Sequence, residues 1–207
     1  MEVRENPQLA TCLIKDVVES HRGEREGIHQ SNLNYCLLKA FYRKTAVEKK
    51  IDENGELTKE LGKAKHILFE HLRGHTYEAR TSWNGISGTI DMLGKIPVEL
   101  KTTRAFPNKN GQVNEAYVEQ LTTYCVMTGK NRACLIIIHV IPAVIKAYTL
   151  KFTNEEINAK AEELIRNRDL LLKATQNNDP RFLPAPRYDW ECRYCEYNHV
   201  CKGGGKQ

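Results

Sequence analysis

Residues 133–141 read ACLIIIHVI, a near-continuous apolar run. A strand with one wet face alternates polar and apolar side chains; a run without that alternation marks a strand covered on both faces. Covering both faces takes helices packed on a sheet, so the run restricts the chain to a layered architecture of helices and strands. It is also far too short to cross a bilayer, which needs roughly 20 apolar residues. With 207 residues, 41% of them hydrophobic and 28% charged, the chain has the balance of a globular protein and not of a disordered one. That length suits one domain with a small appendage, and folding can bury about 70% of the surface without disulfides. The N-terminal MEVRENPQLATCLIKDVVES carries charges throughout and lacks a signal-peptide core, so the expected location is cytoplasmic, with no membrane partner. A formal net charge of +5 permits a polyanionic partner without demonstrating one.

The periodicity around that run divides the chain into three parts: an N-terminal helical extension over 1–30, a core over 31–175 and a cysteine-bearing segment over 176–207. Leu9, Leu13 and Val17 recur at helical spacing within 8–21, and Gly23 and Gly27 end that helix. Ser31 is a plausible N-cap for a helix over 32–44. Leu57, Leu61, Ala64, Leu68 and Leu72 form the apolar stripe of a third helix, 57–72. The pattern then switches to strands: TYEARTSW, GISGTIDMLG and PVELKTT, split by Asn84-Gly85 and Gly94-Lys95. Asn-Gly is the strongest short hairpin signal, so the first pair should be antiparallel. A polar loop over 104–112 leads to a helix near 113–128, closed by Gly129, and then to the apolar strand. Val144–Phe152 reads as another strand, and Thr153 caps a long helix reaching about 174. The predicted fold is a mixed central sheet flanked by helices.

Within this frame Asp91 ends one strand, and Glu99-Leu100-Lys101 sits in the next, across a tight turn. Side chains alternate along a strand, so Glu99 and Lys101 share a face while Leu100 points into the core. A hairpin brings Asp91 alongside Glu99. Two carboxylates and a lysine at one sheet edge can hold magnesium or manganese through oxygen ligands, polarise a phosphate and orient a water. An ordinary charged strand would read the same way, so flanking residues have to decide.

Two helices supply them. Gly62 and His66 are four apart, on one helix face, and a glycine there lets the helix approach another backbone closely. Glu70 lies one turn further along that face, and His71 and His75 compete with His66. Downstream, Gln120 and Tyr124 are again four apart, with Val118, Leu121 and Cys125 taking the buried stripe. An amide and a phenol there could bond a phosphate or the attacking water, and a tyrosine ring could stack a base.

Seven cysteines, an odd number, fit a disulfide framework poorly. Cys192, Cys195 and Cys201 crowd into WECRYCEYNHVC, whereas Cys12, Cys36, Cys125 and Cys134 are scattered. In a reducing compartment a tight CxxC cluster is a metal or cluster site sooner than a disulfide. Cys12, Cys125 and Cys134 read as core or helix-face residues.

Taken in order, Gly62-x3-His66, Asp91, Glu99-x-Lys101 and Gln120-x3-Tyr124 resemble the RecB-like branch of the PD-(D/E)xK nucleases, with Ile90-Asp91 where that family usually has Pro-Asp. The resemblance implies a restriction-endonuclease-like α/β core, metal ligation by His66, Asp91 and Glu99 with the Leu100 carbonyl, and catalysis by Asp91, Glu99, Lys101, Gln120 and Tyr124. Cys192-x2-Cys195-x5-Cys201 with the distant Cys36, in YCLLKAFYR, is similar to the iron–sulfur nucleases of the fourth CRISPR-associated protein family, which often has Cys-Pro where this chain has Cys36-Leu37. That likeness implies a 4Fe-4S cluster on Cys36, Cys192, Cys195 and Cys201, and a magnesium- or manganese-dependent exonuclease. Its substrate would be single-stranded DNA ends, trimmed 5′ to 3′ during CRISPR adaptation beside the integrase complex. Zinc remains an alternative at the cysteines, with His199 able to replace Cys36. A free-standing RecB-like repair or mobile-element nuclease and a non-catalytic DNA-binding scaffold remain alternatives for the whole. Arg43, Lys44, Lys63, Lys65, Arg104 and Lys109 are candidate phosphate contacts.

Overall fold

The computed structural model describes residues 27–50, 52–64, 76–105, 112–141 and 143–201, with the isolated positions 8 and 12. The expected helix over 8–21 therefore falls outside the described residues, apart from those two positions, as do the second half of the 57–72 helix, His66, Glu70, His71, His75, Lys65 and Lys109.

Strand β1 (Ile28–His29) runs straight into helix α1 (Gln30–Asn34). The N-cap is His29 and not Ser31: its side chain accepts the Ser31 N–H, and Asn32 Oδ1 accepts the His29 N–H at 2.9 Å, a reciprocal capping box. The single helix expected over 32–44 is two, because α2 (Leu37–Lys44) starts afresh after Cys36. Tyr35 is extended, and the Cys36 N–H leaves the helix to donate to the buried carboxylate of Glu191 at 2.7 Å. An amide committed to a distant side chain cannot continue a helical ladder, so the helix breaks there.

Helix α3 (Glu53–Ala64) begins earlier than its leucine spacing suggests. Leu61 is 48% exposed and Ala64 is exposed too, so the expected buried stripe does not form over the described part. Gly62 faces Thr102, but an added Cβ would stand 3.9 Å from its Oγ1, an ordinary contact, so no close approach demands glycine.

Asn84 and Gly85 both take positive φ (46° and 74°), as a two-residue hairpin turn requires. They join β2 (Thr76–Trp83) to β3 (Ile86–Leu93) in antiparallel register from Trp83↔Ile86 to Thr76↔Leu93. The other edge of β3 is shared. β1 pairs with it in parallel at Ile86 and Ser87, and β4 (Pro97–Thr103) pairs antiparallel at Met92 and Leu93. From β4 the chain crosses through α4 (Glu115–Thr128) to β5 (Arg132–His139), which lies parallel to β4. Asn114 caps the start of α4, and Gly129, at φ 65°, ends it in the left-handed conformation. The edge strand β6 (Val144–Lys151) returns antiparallel, and α5 (Asn154–Asn177) starts from the capping box of Thr153 and Glu156. A short helix, α6 (Asp189–Arg193), carries the first cysteine of the tail. Among the described residues the sheet order is β1-β3-β4-β5-β6, with β2 on β3.

The apolar run on β5 is covered less evenly than its composition suggests. Ala133, Leu135 and Ile137 are buried against Leu121, Tyr124 and Cys125 of α4. Cys134 and Ile136, on the opposite face, are only partly buried, against a smaller cluster of Met92, Val98 and Leu100. Cys125 is a core residue as expected, whereas Cys12 is exposed. The result is a mixed sheet flanked by helices, with the main core between the sheet and the pair α4–α5.

Candidate active site

The ladder between β3 and β4 stops at Met92↔Val98. Continued by one step it would set Asp91 opposite Glu99. Instead the strands part, and Asp91 Oδ2 accepts the Leu100 N–H at 2.8 Å. Burial pushes the Asp91 carboxyl above its ordinary range, against the opposing pull of that N–H and of Lys101.

Strand alternation puts Glu99 and Lys101 on the face that looks toward α4, and they form a salt bridge. The Lys101 ammonium also donates to Gln120 Oε1 at 3.0 Å, and Gln120 Nε2 donates to the Tyr124 hydroxyl at 2.8 Å. That hydroxyl in turn donates to the Thr89 carbonyl of β3 at 2.9 Å. The chain of bonds ties β3, β4 and α4 around one ammonium. Lys101 also lies over the ring of Tyr117, 5.3 Å from its centroid. Burial lifts Glu99 to about 7, offset by Lys101 and reinforced by Asp91. For Lys101, burial works against the charged form, but the Glu99 carboxylate outweighs it and the net shift is upward. Tyr124 is only 1% exposed, so its ring cannot stack a base as its helical spacing suggested; what it offers the site is its hydroxyl.

Glu99 Oε2 is buried and has no hydrogen-bond partner. An orphaned carboxylate oxygen beside a second carboxylate is costly unless a cation completes it, so this donor set fits a divalent ion. Among the described residues no three histidine, cysteine, aspartate or glutamate side chains converge closely enough to hold an ion by themselves. The described donors are thus part of a set that His66, outside the described residues, was expected to join.

At the other end of α1, the thiols of Cys36, Cys192, Cys195 and Cys201 border one small apolar cavity together with Lys39 and Glu191. All four are free thiols. Burial pushes Cys36 up to about 11. The Tyr197 N–H donates to Cys195 Sγ at 3.4 Å, the kind of bond that steadies a ligating sulfur. His199 is exposed and does not line the cavity. Four cysteines thus line one apolar space, though among the described residues no three of them converge closely enough to hold a metal ion as they stand.

Residues 45–202 match the PD-(D/E)XK nuclease superfamily. The chain belongs to that superfamily. Its nucleases use divalent metals such as magnesium and manganese. Among solved structures, SSO0001 has the same fold, with a TM-score of 0.65 at 20% identity, over 96% of this chain and 98% of that one. The alkaline exonuclease LHK-Exo from Laribacter hongkongensis gives 0.49 at 14% identity, over 80% of this chain and 89% of its own. A phage-related exonuclease from Haemophilus somnus 129PT gives 0.44 at 12%, over 80% and 94%. No curated protein matches this PD-(D/E)XK chain in sequence.

Other residues of this nuclease surround both sites without having announced themselves in its sequence. Glu191 accepts from the Cys36 N–H and from the Tyr188 N–H, fastening the tail to the helix break. Arg43 and Lys39 pair with Glu196, so Arg43 serves the tail fold and is not a free phosphate contact. Lys44 donates to the Gly27 carbonyl. The buried Lys160 of α5 pairs with Glu119 of α4, and Arg187 of the tail joins them at 2.9 Å from Glu119. The links of Glu191 to Cys36, of Glu196 to Arg43 and Lys39, and of Glu119 to Lys160 and Arg187 each join residues more than 40 positions apart, and no local spacing signals such a partner.

Proposed function

We propose that this chain is a metal-dependent DNA exonuclease that degrades single-stranded DNA or overhangs from 5′ to 3′. In this reading His66, Asp91, Glu99 and the Leu100 carbonyl would hold a magnesium or manganese ion, which would supply Lewis-acid polarisation of the scissile phosphate and of a water. Lys101, held between Glu99 and Gln120, has three donors and uses two of them on these partners. The third is available to a phosphate oxygen or to the attacking water, where a fixed cation stabilises developing negative charge. Gln120 sets the direction of that ammonium, and Tyr124 sets the direction of Gln120. The observation that carries the reading is the buried Glu99 oxygen without a partner, beside Asp91 and under an oriented lysine.

Cys36, Cys192, Cys195 and Cys201 hold a 4Fe-4S cluster in this proposal. Four cysteines lining one apolar cavity are the donor set such a cluster takes, and the same set serves a single zinc, which is the alternative occupant. The order of the motifs and the cysteine spacing support a role resembling that of the fourth CRISPR-associated family: trimming prespacer ends next to the adaptation integrase. Anaerobically purified protein should be brown, contain about four irons per chain, and degrade linear single-stranded DNA only with magnesium or manganese. Colourless protein with stoichiometric zinc removes the cluster; circular single strands cut as readily as linear ones remove the exonuclease.

A further inference from the structure

Three aromatic residues gather where the tail meets α4. Trp190 stacks on Tyr188, with ring centroids 5.8 Å apart and planes at 16°, and meets the edge of Tyr35 at 6.2 Å and 72°. Large aromatics in a protein of this size are normally buried, yet Trp190 is 39% exposed with one side already occupied by Tyr188. Tyr194 follows four residues later and is also exposed.

A hydrogen bond and an ion pair tie the group to one face of α4. Asn34, the residue before Tyr35, accepts from the Thr123 hydroxyl at 2.8 Å. Arg187, the residue before Tyr188, pairs with Glu119 at 2.9 Å. Thr123 and Glu119 are sequence neighbours of Tyr124 and Gln120, the two residues that orient Lys101. Glu119 and Thr123 are one helical turn apart, so Tyr35 and Tyr188 are tethered to the same face of α4, and Tyr35 lies within the electrostatic reach of Lys101 and Glu99. The Tyr117 ring lies under Lys101, 5.3 Å from its ammonium, and bears electrostatically on Tyr35.

The geometry points to Trp190, backed by Tyr188 and Tyr35, as a base-stacking platform that receives an unpaired nucleotide of single-stranded DNA and so sets the next phosphate against Lys101. An aromatic face stacks any base, whereas a base inside a duplex has both faces occupied. Stacking here thus selects unpaired strands without selecting sequence. The inference rests on the nuclease reading only for the role of Lys101; the stacking itself needs no cleavage.

Equilibrium binding without divalent metal tests it, using full-length protein, oligothymidylate, and an abasic oligomer of the same length and charge. Trp190→Ala should weaken oligothymidylate binding about 5- to 150-fold, the range for loss of one base–aromatic stack. It should leave abasic binding unchanged, and Trp190→Phe should restore most of the loss. Melting temperature and visible spectrum must match the parent. If Trp190→Ala does not fold, the parent's preference for oligothymidylate over the abasic strand, and its reduction in Trp190→Phe, carry the test. Equal weakening of both ligands, or of neither, overturns the platform and leaves Trp190 as a packing residue of the tail. Base-dependent binding by a protein that never cuts DNA would instead overturn the nuclease reading and leave the platform standing.

Discussion

The Asp91 carboxylate accepts the Leu100 N–H at 2.8 Å, in the gap where β3 and β4 have stopped pairing. One residue thereby does two jobs: it replaces a lost ladder bond, and its charge bears on the neighbouring Glu99. The two jobs separate by substitution. Asp91→Asn keeps an acceptor for Leu100 and should melt near the parent temperature while metal-dependent cleavage collapses. Asp91→Ala leaves the Leu100 amide unsatisfied and should cost about 1–3 kcal/mol of stability as well. Thermal melts beside single-turnover cleavage check the pair; equal melting of Asn and Ala variants would show that the carboxylate is not bracing the strands.

Lys101→Ala keeps the proposed ligands but removes the cation aimed at the phosphate. Losing one such group costs about 2.7–4 kcal/mol in comparable electrostatic sites, or roughly a hundredfold or more in rate. DNA binding should survive, because most phosphate contacts lie elsewhere. Single-turnover rates set against binding constants decide it: cleavage at the parent rate would make Lys101 a surface charge and misplace the motif.

The placement of Asp91, Glu99 and Lys101 was legible because it depends on rules of period two. Strand alternation fixes which side chains share a face, and the short turn between β3 and β4, with Leu93 paired to Pro97, brings Asp91 alongside Glu99. Burial on helices was less legible. Tyr124 sits one position off the Leu121–Cys125 stripe, and its enclosure comes from β3, whose Thr89 carbonyl takes its hydroxyl. The break at Tyr35–Cys36 was invisible for the same reason: its cause, Glu191, is 155 residues away. Leu61 misled in the opposite sense, since a stripe at helical spacing shows that a helix has an apolar face but not that anything covers it.

Glu99 gives the metal-free protein an unusual pH dependence. Burial lifts its folded value to about 7, above an ordinary 4.5. The folded state therefore binds the proton more tightly than the unfolded chain does. This contribution is fully present below about 4.5 and is lost as pH rises toward about 7. In chelator, stability from this group should fall over that window, and Glu99→Gln should flatten the fall. Denaturant melts of parent and variant across the window measure it; identical profiles would show that Glu99 is not held this way.

Glu191 should control the cysteine segment from outside the thiol set. Its carboxylate takes the Cys36 N–H at 2.7 Å, so Glu191→Ala orphans a buried amide and frees the segment from the helix break. The expected outcome is a loss of about 1–3 kcal/mol and weaker retention of iron, with Glu191→Gln nearer the parent because an acceptor remains. Iron content after desalting, with a thermal melt, tests both; unchanged iron in the alanine variant would show that the four cysteines position themselves.

The tail is also fastened through charge, and this fastening should fail in acid. Lys160, 4% exposed, pairs with Glu119, and Arg187 reaches the same carboxylate at 2.9 Å and Glu163 at 3.2 Å. Burial alone would raise the Glu119 carboxyl, but Lys160 and Arg187 outweigh it and hold it below its ordinary 4.5. A carboxyl held low contributes stability that is fully present above its unfolded value and is lost as pH falls through the folded one. Arg187→Ala should therefore loosen residues 180–201 at neutral pH, and the difference from the parent should shrink below about 4.5 as Glu119 takes up its proton. Lys160→Ala is the harsher change, since it takes the buried ammonium from Glu119 and Glu163, leaves Arg187 as their shared cation and opens a hole where the side chain packed. Lys160→Met, which fills the same space without charge, likewise leaves them only Arg187 but keeps the packing, so its cost should lie between the parent and the alanine variant. Hydrogen exchange on the tail amides at two pH values separates the effects. Protection that is the same in Arg187→Ala and the parent at neutral pH would mean that Glu191 and the cysteines, and not this charge cluster, hold the tail against α4.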